Sequence, residues 1–205
     1  MSKQPAWMQT LAVRAAVSFA LSTAAAFPGL YEPGFWTASP LWGDASSAWL
    51  VDTYYGWVGT VDAGKAEKAR CVRGSEQVAQ AQPRYVISES GLSAVDLWTK
   101  LQWQRGTAVG NKTWQFAQQY CNSLTLDGKN GWRLPSVREL QSITDPKKAA
   151  PAIDMAVFPD TKPLAYWSST VRVGTFNGWM VNFLTGGEGF GVSTVAYPVR
   201  CVRGL

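Results

Sequence analysis

The stretch Arg70-Cys71-Val72-Arg73-Gly74 returns unchanged as Arg200-Cys201-Val202-Arg203-Gly204. The likeness runs back from each. Phe27-Pro28 matches Phe158-Pro159, and Phe35-Trp36-Thr37 matches Tyr166-Trp167-Ser168, at an offset of 131 residues. After a one-residue slip the offset is 130, and Trp49-Leu50-Val51 matches Trp179-Met180-Val181 while Gly56 matches Gly186. Repetition of this length means two copies of one folding unit. The copies are unequal: a long run from about Pro83 precedes Phe158, whereas 26 residues precede Phe27. The chain therefore divides into a complete unit, 83–205, and a partial unit, 27–74, that lacks most of its leading half. The polar stretch 75–82 (SEQVAQAQ) reads as the linker between them.

Inside the complete unit the apolar spacing changes period. Arg84 to Ile87, and Leu101 with Trp103, fit short strands. Trp114, Ala117, Cys121 and Leu124 recur at three- and four-residue steps, with Tyr120 on the same side, which predicts a helix over Thr113 to Leu124 with Asn111 as its cap. Asp127-Gly128 and Asn130-Gly131 are turn signals. Ser136 and Glu139 stand at capping-box spacing ahead of Val137, Leu140 and Ile143, so a second, short helix follows and both polar residues are read as caps. Ala165 to Thr170 opens a strand-rich tail. Trp179, Val181 and Phe183 alternate, Gly186 to Gly191 reads as turns or a flexible loop, and Tyr197 to Val202 reads as the closing strand.

The chain has no histidine, which removes the usual general base near neutral pH, the commonest metal ligand and every Ser-His-Asp or Cys-His site. The three cysteines, Cys71, Cys121 and Cys201, form no Cys-x-x-Cys pair, so a zinc cluster is not expected. Asp154, Asp160 and Glu188 are too sparse for calcium, which needs six to eight oxygen ligands. No catalytic residue and no cofactor is expected. The net charge of +5 is scattered and the densest basic stretch, Lys65 to Arg73, contains Glu67, so nucleic-acid binding is not expected either. The 11 tryptophans point to a tryptophan-pinned core.

Residues 1–26 read either as an export signal, with Lys3 and Arg14 ahead of small residues at 22–26, or as a helix from Gln9 to Ala25. Arg14 interrupts the apolar run, so no transmembrane span is expected. Cys121 on the apolar face of the first helix and Cys201 in the last strand can form a disulfide in an oxidising compartment; two buried thiols are the alternative. Cys71 has no counterpart of Cys121 within its own unit, leaving burial or pairing with another chain.

The complete unit resembles the Lcl C-terminal domain family (DUF1566). The likeness rests on Leu101 to Arg105, Trp114 through Tyr120-Cys121 to Leu124, Gly131-Trp132-Arg133-Leu134-Pro135, Glu139-Leu140, Ile153-Asp154, Phe158-Pro159, Tyr166 to Thr170, and Arg200 to Gly204. The resemblance implies an α+β, C-type-lectin-like domain with two helices and a looped antiparallel β-region, preceded here by a truncated second copy. It further implies a bacterial protein that is periplasmic, secreted or at the cell surface, and, in the family's collagen-like adhesin, attachment to sulfated polysaccharide. The chain lacks that adhesin's Gly-x-y repeat, and it lacks the Glu-Pro-Asn, Gln-Pro-Asp and Trp-Asn-Asp triplets of calcium-dependent lectins. The formylglycine-generating oxidase of the same fold needs reactive cysteines that have no matching pair here.

The expected function is thus a non-catalytic recognition or adhesion module, with a polysaccharide or protein partner. Its contact face would be the loops 171–177 and 186–194, with Arg172, Phe176, Asn177, Glu188 and Phe190 as contacts. The alternative is a structural module completed by a partner or by self-association through the incomplete first unit.

Overall fold

The computed structural model describes residues 34–73 and 83–205. The expectations for residues 1–26 and for the linker 75–82 lie outside the described residues, as do 27–33 and Gly74 of the partial unit.

Residues 34–73 form one sheet. Strands β1 (Phe35–Leu41), β2 (Asp44–Asp52), β3 (Trp57–Asp62) and β4 (Lys68–Ala69) lie in the order β3-β2-β1-β4, with Trp49 and Leu50 buried. In the second unit, β5 (Tyr85–Ile87), β6 (Ser93–Asp96), β7 (Leu101–Gln104) and β11 (Val202–Gly204) make a sheet in the order β11-β7-β6-β5. A further sheet, β10-β9-β8, is built from β8 (Ala165–Val171), β9 (Gly178–Asn182) and β10 (Gly187–Gly191). Helices α1 (Trp114–Ser123) and α2 (Val137–Ser142) lie between β7 and β8 in sequence. The architecture is α+β; both sheets of the second unit are antiparallel, consistent with a C-type-lectin-like domain, and in the first sheet β4 pairs parallel with β1.

Pairing in the first sheet follows the spacing seen in the sequence. Phe35 pairs with Val51 and Trp36 with Leu50, as Tyr166 pairs with Val181 and Trp167 with Met180. Asp52 pairs with Trp57 and Trp49 with Thr60, as Asn182 pairs with Gly187 and Trp179 with Phe190. One hydroxyl bond recurs as well: Thr37 Oγ1 donates to Trp49 O (3.1 Å) and Ser168 Oγ to Trp179 O (2.7 Å).

Strands β8 and β9 organise the core of the second unit. Successive strand residues point to opposite faces. Tyr166 and Val181 enter one cluster with Trp103, Leu140 and Phe158, whereas Trp167 and Met180 enter another with Ala117, Cys121 and Trp132. A sheet buried on both faces needs apolar residues at successive positions, and the Tyr166-Trp167 and Met180-Val181 pairs supply them.

Helix α1 buries the expected stripe: Ala117 and Cys121 are inaccessible, and Trp114, Tyr120 and Leu124 flank them. Its N-cap is Thr113 rather than Asn111, and no side chain caps it. The first turn is instead tied down by Trp114 N–H donating to Ser193 O (3.0 Å). Helix α2 has the predicted capping box, with Glu139 N–H donating to Ser136 Oγ (3.2 Å) and Ser136 N–H to Glu139 Oε2 (2.8 Å). Arg133 also holds Glu139, at 2.6 Å.

Hydrogen bonds from Arg133, opposed by burial and joined by the Ser136 N–H, pull the Glu139 carboxyl down to about 2. A depressed carboxylate stabilises the fold fully above its unfolded value, about 4.3, and that stability is lost as pH falls through the folded value. Glu139→Gln is therefore expected to destabilise most near neutrality, with its deficit against wild type closing between about pH 4.5 and about pH 2. Urea unfolding over that range checks this; a deficit that does not change with pH contradicts it.

Two expectations are corrected. Gly187–Gly191 is not a loop but strand β10, paired with β9 along its length. Gly186 does make the turn, at φ +89°. Gly191, by contrast, sits in close packing: a Cβ there would lie 2.8 Å from Met180 Cε and 3.1 Å from the Trp167 ring, so both would have to shift. The contact loop placed at 186–194 is accordingly reduced to 192–194. The closing strand begins at Val202 rather than Tyr197. Residues before it are held one by one: Pro198 O accepts from Trp167 N–H (3.2 Å), Val199 O from Ala108 N–H (2.9 Å) and Cys201 O from Gln104 N–H (3.0 Å).

Cys121 and Cys201 form a disulfide with Cα atoms 5.5 Å apart, across 80 residues of sequence. It sits inside the second cluster and ties α1 to the segment entering β11. Cys71 is exposed and unpaired, so it is not a buried thiol.

Candidate functional site

Strand β8 ends at Val171, and the chain turns back through 172–177 into β9. The turn is closed by Arg172 N–H donating to Asn177 O (2.9 Å), Thr175 N–H to Arg172 O (3.2 Å) and Asn177 N–H to Thr175 Oγ1 (3.1 Å). Asn177 is half-buried and its main chain does this closing. The closed turn brings the Arg172 guanidinium over the Phe190 ring, 3.9 Å from its centroid. Phe190 is backed by its cross-strand partner Trp179, edge to face at 6.2 Å. A cation held on an aromatic face is attracted by the ring quadrupole, and the packing limits where the guanidinium can go.

The first unit adds to this surface. Tyr55, in the turn between β2 and β3, lies 5.9 Å from the Arg172 guanidinium and meets Tyr54 edge to face at 4.6 Å. Asp52 fixes the turn by accepting from Tyr55 N–H (2.7 Å). Tyr54, Tyr55 and Phe190 are 61%, 59% and 49% exposed. Their rings and Arg172 form a composite aromatic and cationic patch. Both tyrosines escaped the sequence reading, because nothing local in Tyr54-Tyr55-Gly56 says that this turn lands beside Phe190.

The remaining expected contacts lie elsewhere. Phe176, 92% exposed, projects from the other side of the 172–177 turn. There it borders a cavity of about 380 Å³ with Trp114, Gln115 and Ser193. Glu188 shares a face of β10 with Phe190, yet its side chain is fully covered. It accepts from Val58 N–H (3.0 Å) and pairs with Arg138 (3.1 Å). Burial pushes the Glu188 carboxyl up, and Arg138 and the Val58 N–H oppose that. A carboxylate covered and satisfied in this way offers nothing to an outside ligand, so Glu188 belongs to the junction between the units.

The other acids also have structural duties. Asp160 accepts from Thr107 N–H (2.9 Å) and lies 3.5 Å from the buried Arg200 guanidinium. Asp154 accepts from Ala156 N–H (3.1 Å) and, like Asp145, is met by Lys148, at 3.5 and 3.7 Å. Asp145 and Asp154 border the cavity of about 610 Å³ beneath Tyr85 and Trp98. Arg84 lies over both of these rings at 4.8 Å and pairs with Asp96 at 2.7 Å. Among the described residues no group of three or more His, Cys, Asp or Glu side chains is placed to hold a metal ion, and no helix is long and apolar enough to cross a membrane.

Residues 93–203 match the family model described as the Lcl C-terminal domain. No curated protein matches the chain.

Proposed function

The chain belongs to the Lcl C-terminal domain family, and from that premise we propose that it is a non-catalytic, extracytoplasmic recognition module that holds a polysaccharide against the Arg172–Phe190 platform. The observation that carries this reading is the guanidinium 3.9 Å above an exposed ring, flanked by Tyr55. Exposed rings stack on the C–H faces of sugars, and a held guanidinium donates to hydroxyl, carboxylate or sulfate oxygens. Aromatic residues and arginine are also the usual energetic anchors of binding surfaces. The 172–177 turn, closed through Asn177, holds Arg172 in place for this contact. The Cys121–Cys201 disulfide supports an oxidising location: periplasm, cell surface or exterior.

The test is retention on immobilised heparin at graded salt, beside an array of neutral and acidic glycans. Arg172→Ala and Phe190→Ala are each expected to weaken binding about tenfold, an ordinary cost for truncating an arginine or aromatic anchor of a binding surface. Glu188→Gln is expected to leave it within about twofold, since that side chain is covered. Wild-type protein that elutes with the void and marks no glycan sinks the reading.

A second reading is a structural module that self-associates. Trp42 at the tip of the β1–β2 hairpin, 61% exposed, and the exposed thiol of Cys71 favour it. Light scattering separates the two: a stable oligomer supports this second reading and a clean monomer removes it.

A further inference from the structure

Strand β3 lies against β10, so the two units meet through positions that correspond in sequence. Val58 corresponds to Glu188 at the offset of 130, and these two residues touch: Val58 N–H donates to Glu188 Oε2 (3.0 Å). Beside them, a Cβ on Gly187 would lie 3.6 Å from Gly59 Cα and 3.6 Å from Val58 O. Contact between equivalent residues is the signature of an isologous, two-fold-like interface. Helix α2 reaches both sheets at matching atoms. Gln141 Nε2 donates to Gly186 O (2.8 Å) and Arg138 Nη2 donates to Gly56 O (3.3 Å). Gly56 and Gly186 are equivalent and both have positive φ, +73° and +89°.

We infer that residues 34–73 are a half-domain that borrows α2 of the complete domain, and that the α2–β10 face is a recognition surface for a second sheet of the same fold, made selective by a single charge at its centre. The outer side of α2 meets the first sheet directly: Arg138 Nη2 donates to Gly56 O (3.3 Å), and Gln141 shares a cavity with Thr37, Trp49 and Val58. Selectivity follows from position 58. Two complete domains meeting this way would set Glu188 against Glu188, with the second carboxylate close to the first and covered. The half-domain carries valine there, so one buried carboxylate faces an amide N–H and one arginine. The face thus accepts the half-domain and rejects a second complete copy, as interfaces discriminate by placing a repulsive element against the wrong partner. Docking also sets Tyr54 and Tyr55 beside Arg172, so the composite patch depends on it.

The test puts back at position 58 the residue that the complete domain carries. Val58 borders a cavity of about 210 Å³ between the units, with Trp49, Gln141 and Thr144 on its walls, so a longer side chain has room. Val58→Glu and Val58→Gln are compared in the full chain with the disulfide intact, by hydrogen-exchange protection factors of β3 and β9. At pH 7, Val58→Glu is expected to lower protection of residues 57–62 about tenfold or more, while Val58→Gln stays within about threefold of wild type. On acidification, once one of the two facing carboxyls takes a proton, most of the loss is expected to be regained. Arg138 on α2 is the charged side chain that meets Glu188, and it keeps its charge throughout. Protection of residues 178–182 should stay at the wild-type level in both variants, which reports that the complete domain is folded. The inference is overturned if Val58→Glu keeps wild-type protection, if Val58→Gln loses as much as Val58→Glu, or if acid restores nothing. None of these readouts involves a polysaccharide, so the outcome is independent of whether the patch binds one.

Discussion

Reducing the Cys121–Cys201 disulfide, or replacing both cysteines by alanine, is expected to lower the unfolding free energy of the complete domain by about 2–4 kcal/mol. The crosslink spans 80 residues, and the chain-entropy relation puts a loop of that length nearer about 4–5 kcal/mol, the upper end of what is observed. Both sulfurs lie in a cluster with no accessible surface, so alanine leaves a small void that adds to the loss. Urea unfolding of oxidised and reduced protein measures the difference directly. A fall in Tm of roughly 10 °C would accompany it for a domain of this size. Cys71→Ser serves as the control and should stay within about 0.5 kcal/mol of wild type, because that thiol is exposed and unpaired. Oxidised and reduced protein of equal stability would show that the helix and the final strand are held by packing alone.

The second large effect belongs to Trp167. Its ring is inaccessible, donates Nε1–H to Lys112 O (2.9 Å), meets Tyr197 edge to face at 5.0 Å, and packs tightly over Gly178 and Gly191, where a Cβ would lie 3.0 and 3.1 Å from it. Trp167→Ala removes the buried ring and one of the two hydrogen bonds that Lys112 O accepts, the other coming from Tyr197 N–H (2.9 Å), and should cost about 3–5 kcal/mol. The equivalent Trp36 offers an internal comparison. It occupies the same register position but is only half-buried. Trp36→Ala is expected to cost about 1–2 kcal/mol, in line with the smaller area withdrawn from water. Chemical denaturation of both variants decides; equal losses would contradict the account of what buries each ring.

Which elements were legible follows from where their stabilisation comes from. Helix α1 announces itself because one helix face meets one core, giving Trp114, Ala117 and Cys121 their spacing. Helix α2 does so because its cap is local, within Ser136 to Glu139. Strand β6 pairs with its sequence neighbours β5 and β7, but two of its four residues are polar, so no apolar alternation marks it. Ser93 and Asp96 are polar yet inaccessible because Gln102 Nε2 donates to Ser93 Oγ (2.8 Å) and Arg84 pairs with Asp96. Strand β10 is also unmarked: three of its five residues are glycine, leaving almost no side chains to alternate. The same divide runs through the candidate site. Arg172 and Phe190, both read from the sequence as loop residues, lie side by side because β8, β9 and β10 are consecutive in sequence. Tyr55, and the true role of Glu188, depend on packing across 130 residues, which no local pattern records.

The disulfide has a further consequence if the domain is ever loaded in tension, as an attachment protein would be. A pull applied at residues 83 and 205 passes from Cys121 straight to Cys201 through the sulfurs. The 80 residues between them, which include the 172–177 turn and all of β8 to β10, form a side ring that carries no load. Stretched in an oxidising medium, the molecule should yield about 280 Å less contour length than the same molecule stretched with reductant, at about 3.5 Å per residue. That ring would stay free of tension under forces that have already straightened the chain on either side of it.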